Sequence, residues 1–265
     1  MDAQWSTVRP LVGRGAGITF GLATQAFFVA TVWGLFWYLY GSSVIPAGHS
    51  SHWAAVDLAL ALQFAIVHSW LLLPATRARI SKQLPAGLFG SLFCVVTCAG
   101  LWLIICCWQS SEYALWDFHG AAAYGMRAAF FLSWIGLFYS LSLSGFGYQT
   151  GWTQWLYWLR REKLPRRGLV DRGAYRWLRH PAYLSFLGLI WFTPRMTLDH
   201  ALLTGVWTFY IFVGSVLKDR RLAYYLGEEY CDYAGRVPGY PGMWIGPLAR
   251  WARMAETREP ARRAA

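Results

Sequence analysis

GLFGSLFCVVTCAGLWLIICCW, residues 87–108, decides the fold class. No charge interrupts it, and as a helix rising 1.5 Å per residue it is long enough to cross about 30 Å of hydrocarbon. Working outward, apolar runs of similar length lie near 16–40, 53–74 and 124–147. A longer one, 182–217, is interrupted by Thr193-Pro194-Arg195-Met196-Thr197. Proline cannot continue a helix interior, and arginine is costly at mid-membrane. The run therefore reads as a helical hairpin, with helices near 182–193 and 200–217 and a tight turn at the far interface, where Arg195 anchors to headgroups. The first arm is short for a span. The expectation is an all-α, polytopic integral membrane bundle of about six transmembrane helices, ending in that hairpin.

Composition agrees. Hydrophobic residues make up 56% of the 265 and charged residues 14%, against roughly 25% charged in soluble domains. This excludes a soluble domain, a disordered chain, a collagen and a disulfide scaffold. The net charge of +11 lies in the loops between apolar runs, a topology signal and not a nucleic-acid patch. With the N-terminus inside, every Lys and Arg except Arg127 and Arg195 falls on the internal side. Both termini are thus expected in the cytoplasm, with the bundle in a bacterial inner (plasma) membrane and in contact with its lipids. The first run is too long for a signal-peptide core and no clear A-x-A site follows, so it is expected to be retained. Cys94, Cys98, Cys106, Cys107 and Cys231 form no C-x-x-C pair and read as packing residues, with no metal site.

The chain divides into N-terminal helices (1–147), a core with two long cytoplasmic segments around the hairpin (148–245), and a polar tail (246–265). Segments that long carry function or are disordered, and these are rich in Trp and Tyr. Their densest polar cluster is Arg172-Gly173-Ala174-Tyr175-Arg176-Trp177-Leu178-Arg179-His180-Pro181-Ala182-Tyr183. If 172–179 is helical, Arg172, Arg176 and Arg179 share one face. Two chemistries fit: a juxtamembrane face attracted to anionic lipid, or guanidinium forks that hold a carboxylate or phosphate. His180 before Pro181 ends the helix and sets an imidazole and Tyr183 at a helix start.

Arg-His-Pro-Ala-Tyr at 179–183, after Gly-Ala-Tyr-Arg at 173–176, resembles the R-H-P-x-Y signature of membrane methyltransferases related to isoprenylcysteine carboxyl methyltransferase. Trp191 to Thr197, Gly227-Glu228-Glu229-Tyr230 with Tyr233, and Val237-Pro238 resemble the methanethiol S-methyltransferase branch and its NnrU-type relatives. Phe64 to Ser69 is similar to that branch's F-A-L-Q-H-S stretch, with Val67 in place of Gln. The resemblance spans roughly residues 20–243.

It implies a cytoplasmic S-adenosylmethionine pocket and methyl transfer to a small lipophilic thiol such as methanethiol. The alternatives are a lipid-linked acceptor, such as an isoprenylcysteine carboxylate or a lipid amine, and a non-catalytic protein that kept the fold. Carried over by motif position, Tyr175, Arg176, Leu178, Arg179, His180, Pro181, Tyr183 and Asp219 bind the cofactor. His180 and His68 are the catalytic candidates, with structural hydrogen bonding as the competing role for each. Glu228 and Glu229 are candidate acidic partners for Arg176 or Arg179. One departure stands out: Lys218-Asp219-Arg220-Arg221-Leu222 replaces the family's acidic E-E-R-D-L segment. Either Asp219 serves the donor amine alone, or Lys218 holds the donor carboxylate, or the cofactor site has decayed or changed its ligand.

Overall fold

The computed structural model describes residues 13–41 and 51–251. In chain order the helices are α1 (Arg14–Tyr40), α2 (Trp53–Leu72), α3 (Pro74–Ile80), α4 (Phe89–Cys107), α5 (Gly120–Ser144), α6 (Phe146–Gln149), α7 (Trp152–Arg160), α8 (Pro181–Trp191), α9 (Leu198–Leu226) and α10 (Glu228–Arg236). Two short strands, β1 (Ala114–Asp117) and β2 (Arg195–Thr197), lie before α5 and α9. Five helices among the described residues, α1, α2, α4, α5 and α9, are long and apolar enough to cross a membrane. With the shorter α8 they form the expected helical bundle.

The bundle is apolar inside and outside. Leu35, Ile104, Phe130, Trp134, Leu189, Leu203 and Trp207 pack in one core. Val29, Trp33, Ile66, Trp70, Leu132, Ile135 and Phe209 are more than half exposed, a surface suited to lipid and not to water. Buried hydroxyls return their hydrogens to the carbonyl one turn back: Thr24 to Phe20, Thr31 to Phe27, Ser133 to Ala129 and Ser140 to Gly136, each at 2.7–2.8 Å. These four donors are thereby satisfied within their own helices.

The hairpin has the short first arm that was expected and differs from the expectation in two ways. That arm, α8, has 11 residues, about 16 Å of helix, and gains its cover from α5. The turn is not free: β2 pairs antiparallel with β1, Asp117 opposite Arg195, and Arg195 Nε lies 3.8 Å from Asp117 Oδ2. Arg195 therefore has a protein partner where headgroup anchoring alone was expected. Finally, α9 does not stop near 217 but runs 29 residues to Leu226. No proline precedes Gly227, where φ is 61°, and Lys218 and Asp219 meet partners described below.

The two ends of the bundle are built differently. At the end holding β1 and β2, Asp199 accepts Trp108 Nε1 and the Ser111 amide, both at 3.0 Å, and Asp57 accepts the Gln109 amide at 2.9 Å. At the other end, which carries most of the basic residues, α7 lies across α1 and the start of α4. Trp155 Nε1 donates to Gly17 O at 2.9 Å. Gly151, at φ 78°, meets Gly90 so closely that a Cβ would fall 2.3 Å from the Gly90 carbonyl carbon. Only glycine suits that backbone and that approach.

Candidate functional site

The segment 172–179 does not form the helix that would put three arginines on one face. Gly173 takes φ 57°, and only a 3-10 turn, Gly173–Arg176, forms. Arg172 and Arg176 are exposed while Arg179 is buried. The chain then pairs with the C-terminal segment: the Arg179 amide donates to Pro238 O at 2.9 Å and the His180 amide to Gly239 O at 3.3 Å. Pro181 opens α8, since the first helical position has no partner for an amide hydrogen.

This pairing delivers Arg179 and His180 to Asp219 on α9. Arg179 Nη2 lies 3.1 Å from Asp219 Oδ2, with both side chains sealed from solvent. Arg179 Nη1 points at the carbonyls of Ala234, Val237 and Ala249, each at 3.0 Å, and Nη2 also donates to Pro247 O at 3.2 Å. A buried guanidinium so surrounded has its charge and most donors matched, which makes its burial tolerable. The Tyr230 hydroxyl donates to Asp219 Oδ1. His180 Nε2 approaches the same oxygen to 3.0 Å, off line for a hydrogen bond. Burial holds the His180 pKa below its ordinary value, against the pull of the Asp219 carboxylate. Burial, then the adjacent Asp219 charge, pushes the Tyr230 hydroxyl well up. Both groups are therefore neutral near pH 7.

Aromatic faces surround the cluster. The His180 ring stacks on Tyr183 at 5.5 Å and 8°, and lies 5.5 Å from Tyr240. Lys218 Nζ sits 4.8 Å over the Tyr183 ring. The Arg179 guanidinium is 5.6 Å from the Trp251 ring. Ser215 gives its hydrogen to Ile211 O, so the Tyr240 hydroxyl donates to Ser215 Oγ at 2.6 Å. An open cleft of about 400 Å³ borders Asp219, lined by Val216, Arg220, Pro247, Arg250 and Trp251. His180 Nδ1 and Arg179 Nε are buried with no hydrogen-bond partner among the described residues.

Of the residues singled out in the sequence, Arg179, His180, Pro181, Tyr183 and Asp219 come together here. Tyr175 is buried at the edge, its carbonyl accepting from the Tyr233 hydroxyl at 2.6 Å. Leu178 is half-buried and Arg176 points outward, exposed. Arg179's acidic partner is Asp219; Glu228 and Glu229 are exposed in the first turn of α10. Gly246 to Trp251, the head of the expected polar tail, pack onto Arg179, with Leu248 and Ala249 buried. Residues 252–265 lie outside the described residues. Sequence reasoning assigned no role to Tyr230, Tyr240, Ser215 or Trp251. The Y-x-x-Y spacing of Tyr230 and Tyr233 puts both on one helix face, the one local signal for the first of these.

His68 belongs to a second cluster, deeper in the bundle. Its Nδ1 lies 3.3 Å from Thr97 Oγ1, and Ser69 Oγ donates to the Tyr210 hydroxyl at 3.2 Å. Phe64 stacks on the imidazole at 5.5 Å and Phe93 meets it edge-on at 4.8 Å. Tyr210 and Lys218 are both on α9, about 12 Å apart along the helix.

The family described as NnrU protein matches residues 57–246 of this chain. Among similar proteins are several that carry the name methanethiol S-methyltransferase. One, from a Pseudomonas species, is 28% identical over 237 residues, covering 85% of this chain and 89% of its own. Another, methanethiol S-methyltransferase 2 of Bradyrhizobium diazoefficiens, is 30% identical over 69% of this chain and 71% of its own. A third, from Mycobacterium tuberculosis, is 28% identical over 69% and 75%. No solved structure matches.

Proposed function

The chain belongs to the NnrU protein family, and on that premise we propose that it is an integral membrane methyltransferase that uses S-adenosylmethionine to methylate a small lipophilic thiol. The observation that carries this reading is the buried Arg179–His180–Asp219–Tyr230 cluster with its aromatic surround. The donor is a consumed substrate that supplies a methyl group on a positive sulfonium. It also bears an amine, a carboxylate and a flat adenine. The residues fit those parts. Asp219 Oδ2, ion-paired with Arg179 at 3.1 Å and without a hydrogen bond among the described residues, is the acidic group at the cleft that suits an ammonium; this is the reading in which the second acidic position serves alone. Lys218, held over Tyr183, and Arg220 and Arg250 at the cleft suit the carboxylate. Trp251 and Tyr240 offer faces for adenine.

Arg179 holds the C-terminal segment over this place, so it orients the pocket and does not reach for the ligand with its matched donors. His180, neutral and with a buried Nδ1 that is unpaired among the described residues, is the imidazole that would hydrogen-bond the donor. Both termini lie in the cytoplasm in this reading, the basic end facing the cytoplasmic donor supply in a bacterial inner membrane.

The test is calorimetric titration of S-adenosylhomocysteine into the detergent-purified protein and into His180→Ala at matched monodispersity. Saturable binding by the wild type, weakened at least tenfold in the variant, is the expected result. A folded wild type that binds nothing overturns the proposal.

A further inference from the structure

The hydroxyl of Thr97 has a single hydrogen, and it goes to Phe93 O at 2.8 Å. Toward His68 Nδ1, 3.3 Å away, Thr97 Oγ1 can therefore only accept. The hydrogen-bond network thus assigns the ring hydrogen to Nδ1, which leaves a bare lone pair on Nε2 of the neutral imidazole. Among the described residues Nε2 has no hydrogen-bond partner. Phe64 and Phe93 fix the ring's orientation. On α9, Tyr210, Gly214 and Lys218 follow at four-residue spacing, so they share one face. A Cβ on Gly214 would meet nothing within 4 Å, so that face is open between the His68 cluster and the donor cluster.

Resting on the methyltransferase reading, we propose that the acceptor sits beside Gly214 with its S–H donating to His68 Nε2, and that Thr97 is the positioning residue that makes Nε2 the base. This selects a thiol over a carboxylate. A carboxylate arrives already anionic, has no proton to give and would face a lone pair with its own. A neutral thiol suits the apolar surround of Phe64 and Phe93, with Trp207 5.3 Å from Phe64, and becomes a better nucleophile as its proton leaves. In the step, the thiol proton passes to Nε2 and the sulfur electron pair forms the new bond to the methyl carbon. The departing thioether keeps the pair of the broken bond, and the imidazolium returns its proton to water.

The experiment is ¹⁵N NMR of histidine-labelled protein in detergent, with His68→Gln assigning the signal, beside turnover with thiols of graded acidity. The expected result is His68 as the Nδ1–H form in the wild type, lost in Thr97→Val and restored in Thr97→Ser. Thr97→Val should lower kcat at least tenfold with an alkyl thiol, less with a more acidic thiol, and leave S-adenosylhomocysteine affinity unchanged. An Nε2–H form in the wild type, or equal losses for all thiols, overturns the proposal. A wild type in the Nδ1–H form that binds no S-adenosylhomocysteine overturns the methyltransferase reading itself, and the acceptor role with it.

Discussion

Replacing Asp219 by asparagine removes one charge and almost no volume from the centre of the donor cluster. The carboxylate lies 3.1 Å from Arg179 Nη2, with side-chain exposures of 2% and 0%. At that separation and an effective dielectric of 20, the attraction is about 5 kcal/mol before desolvation offsets much of it. The relevant quantity is the cost of leaving one member buried alone, about 3–5 kcal/mol. The amide oxygen of the new side chain would still accept from the Tyr230 hydroxyl, and four backbone carbonyls still face Arg179, which favours the lower end, about 3 kcal/mol. For a chain of this size each kcal/mol moves the midpoint by about 2–4 °C, so thermal unfolding in detergent should show Tm falling by roughly 6–12 °C. Arg179→Met should cost at least as much, and the double variant less than the sum, because each single change strands the other's charge. A fall below about 2 °C for Asp219→Asn would refute the reasoning, since the pair would then be exchanging freely with water.

Two further outcomes follow from the same end of the bundle. Burial depresses the His180 pKa, so the unfolded chain takes up the proton first as pH falls. The stabilisation from keeping the ring neutral is whole above the unfolded pKa of about 6.5 and is lost progressively below it. Denaturation midpoints between pH 8 and 5 should fall more steeply for the wild type than for His180→Gln; parallel curves would contradict the burial. Gly151→Ala combines a positive φ with a carbon 2.3 Å from the Gly90 backbone. It should destabilise by at least about 2 kcal/mol, read as a lowered Tm, whereas the same change at Gly205, where a Cβ meets nothing within 4 Å among the described residues, should leave Tm within about 2 °C.

The helical bundle was legible because spanning is a local property. An uncharged run such as 87–108 has only to exceed the hydrocarbon thickness, and no distant residue enters the comparison. The hairpin was legible at Pro194, which breaks a helix wherever it sits in an interior. The β1–β2 pairing was not, because three residues beside Pro194 become a strand only when 114–117 lies alongside. Nor was the end of α9: the charges at 218–221 look like an exit from the membrane until Asp219 is seen facing Arg179.

Arg176 and Arg179 make the same point at the candidate site. Equally basic and three residues apart, they part company in space, the first exposed and the second sealed. What separates them is the set of carbonyls at Ala234, Val237, Pro247 and Ala249, 55 to 70 positions further along the chain. A guanidinium is admitted to an interior only where such partners converge, and convergence is a property of the packed chain. Thus the residues alone determined that this protein crosses a membrane and carries an arginine–histidine–proline motif at one end. The tertiary structure decided which arginine is buried, which carboxylate it meets, and which hydroxyl stands beside His68, since each depends on atoms brought together from distant parts of the sequence.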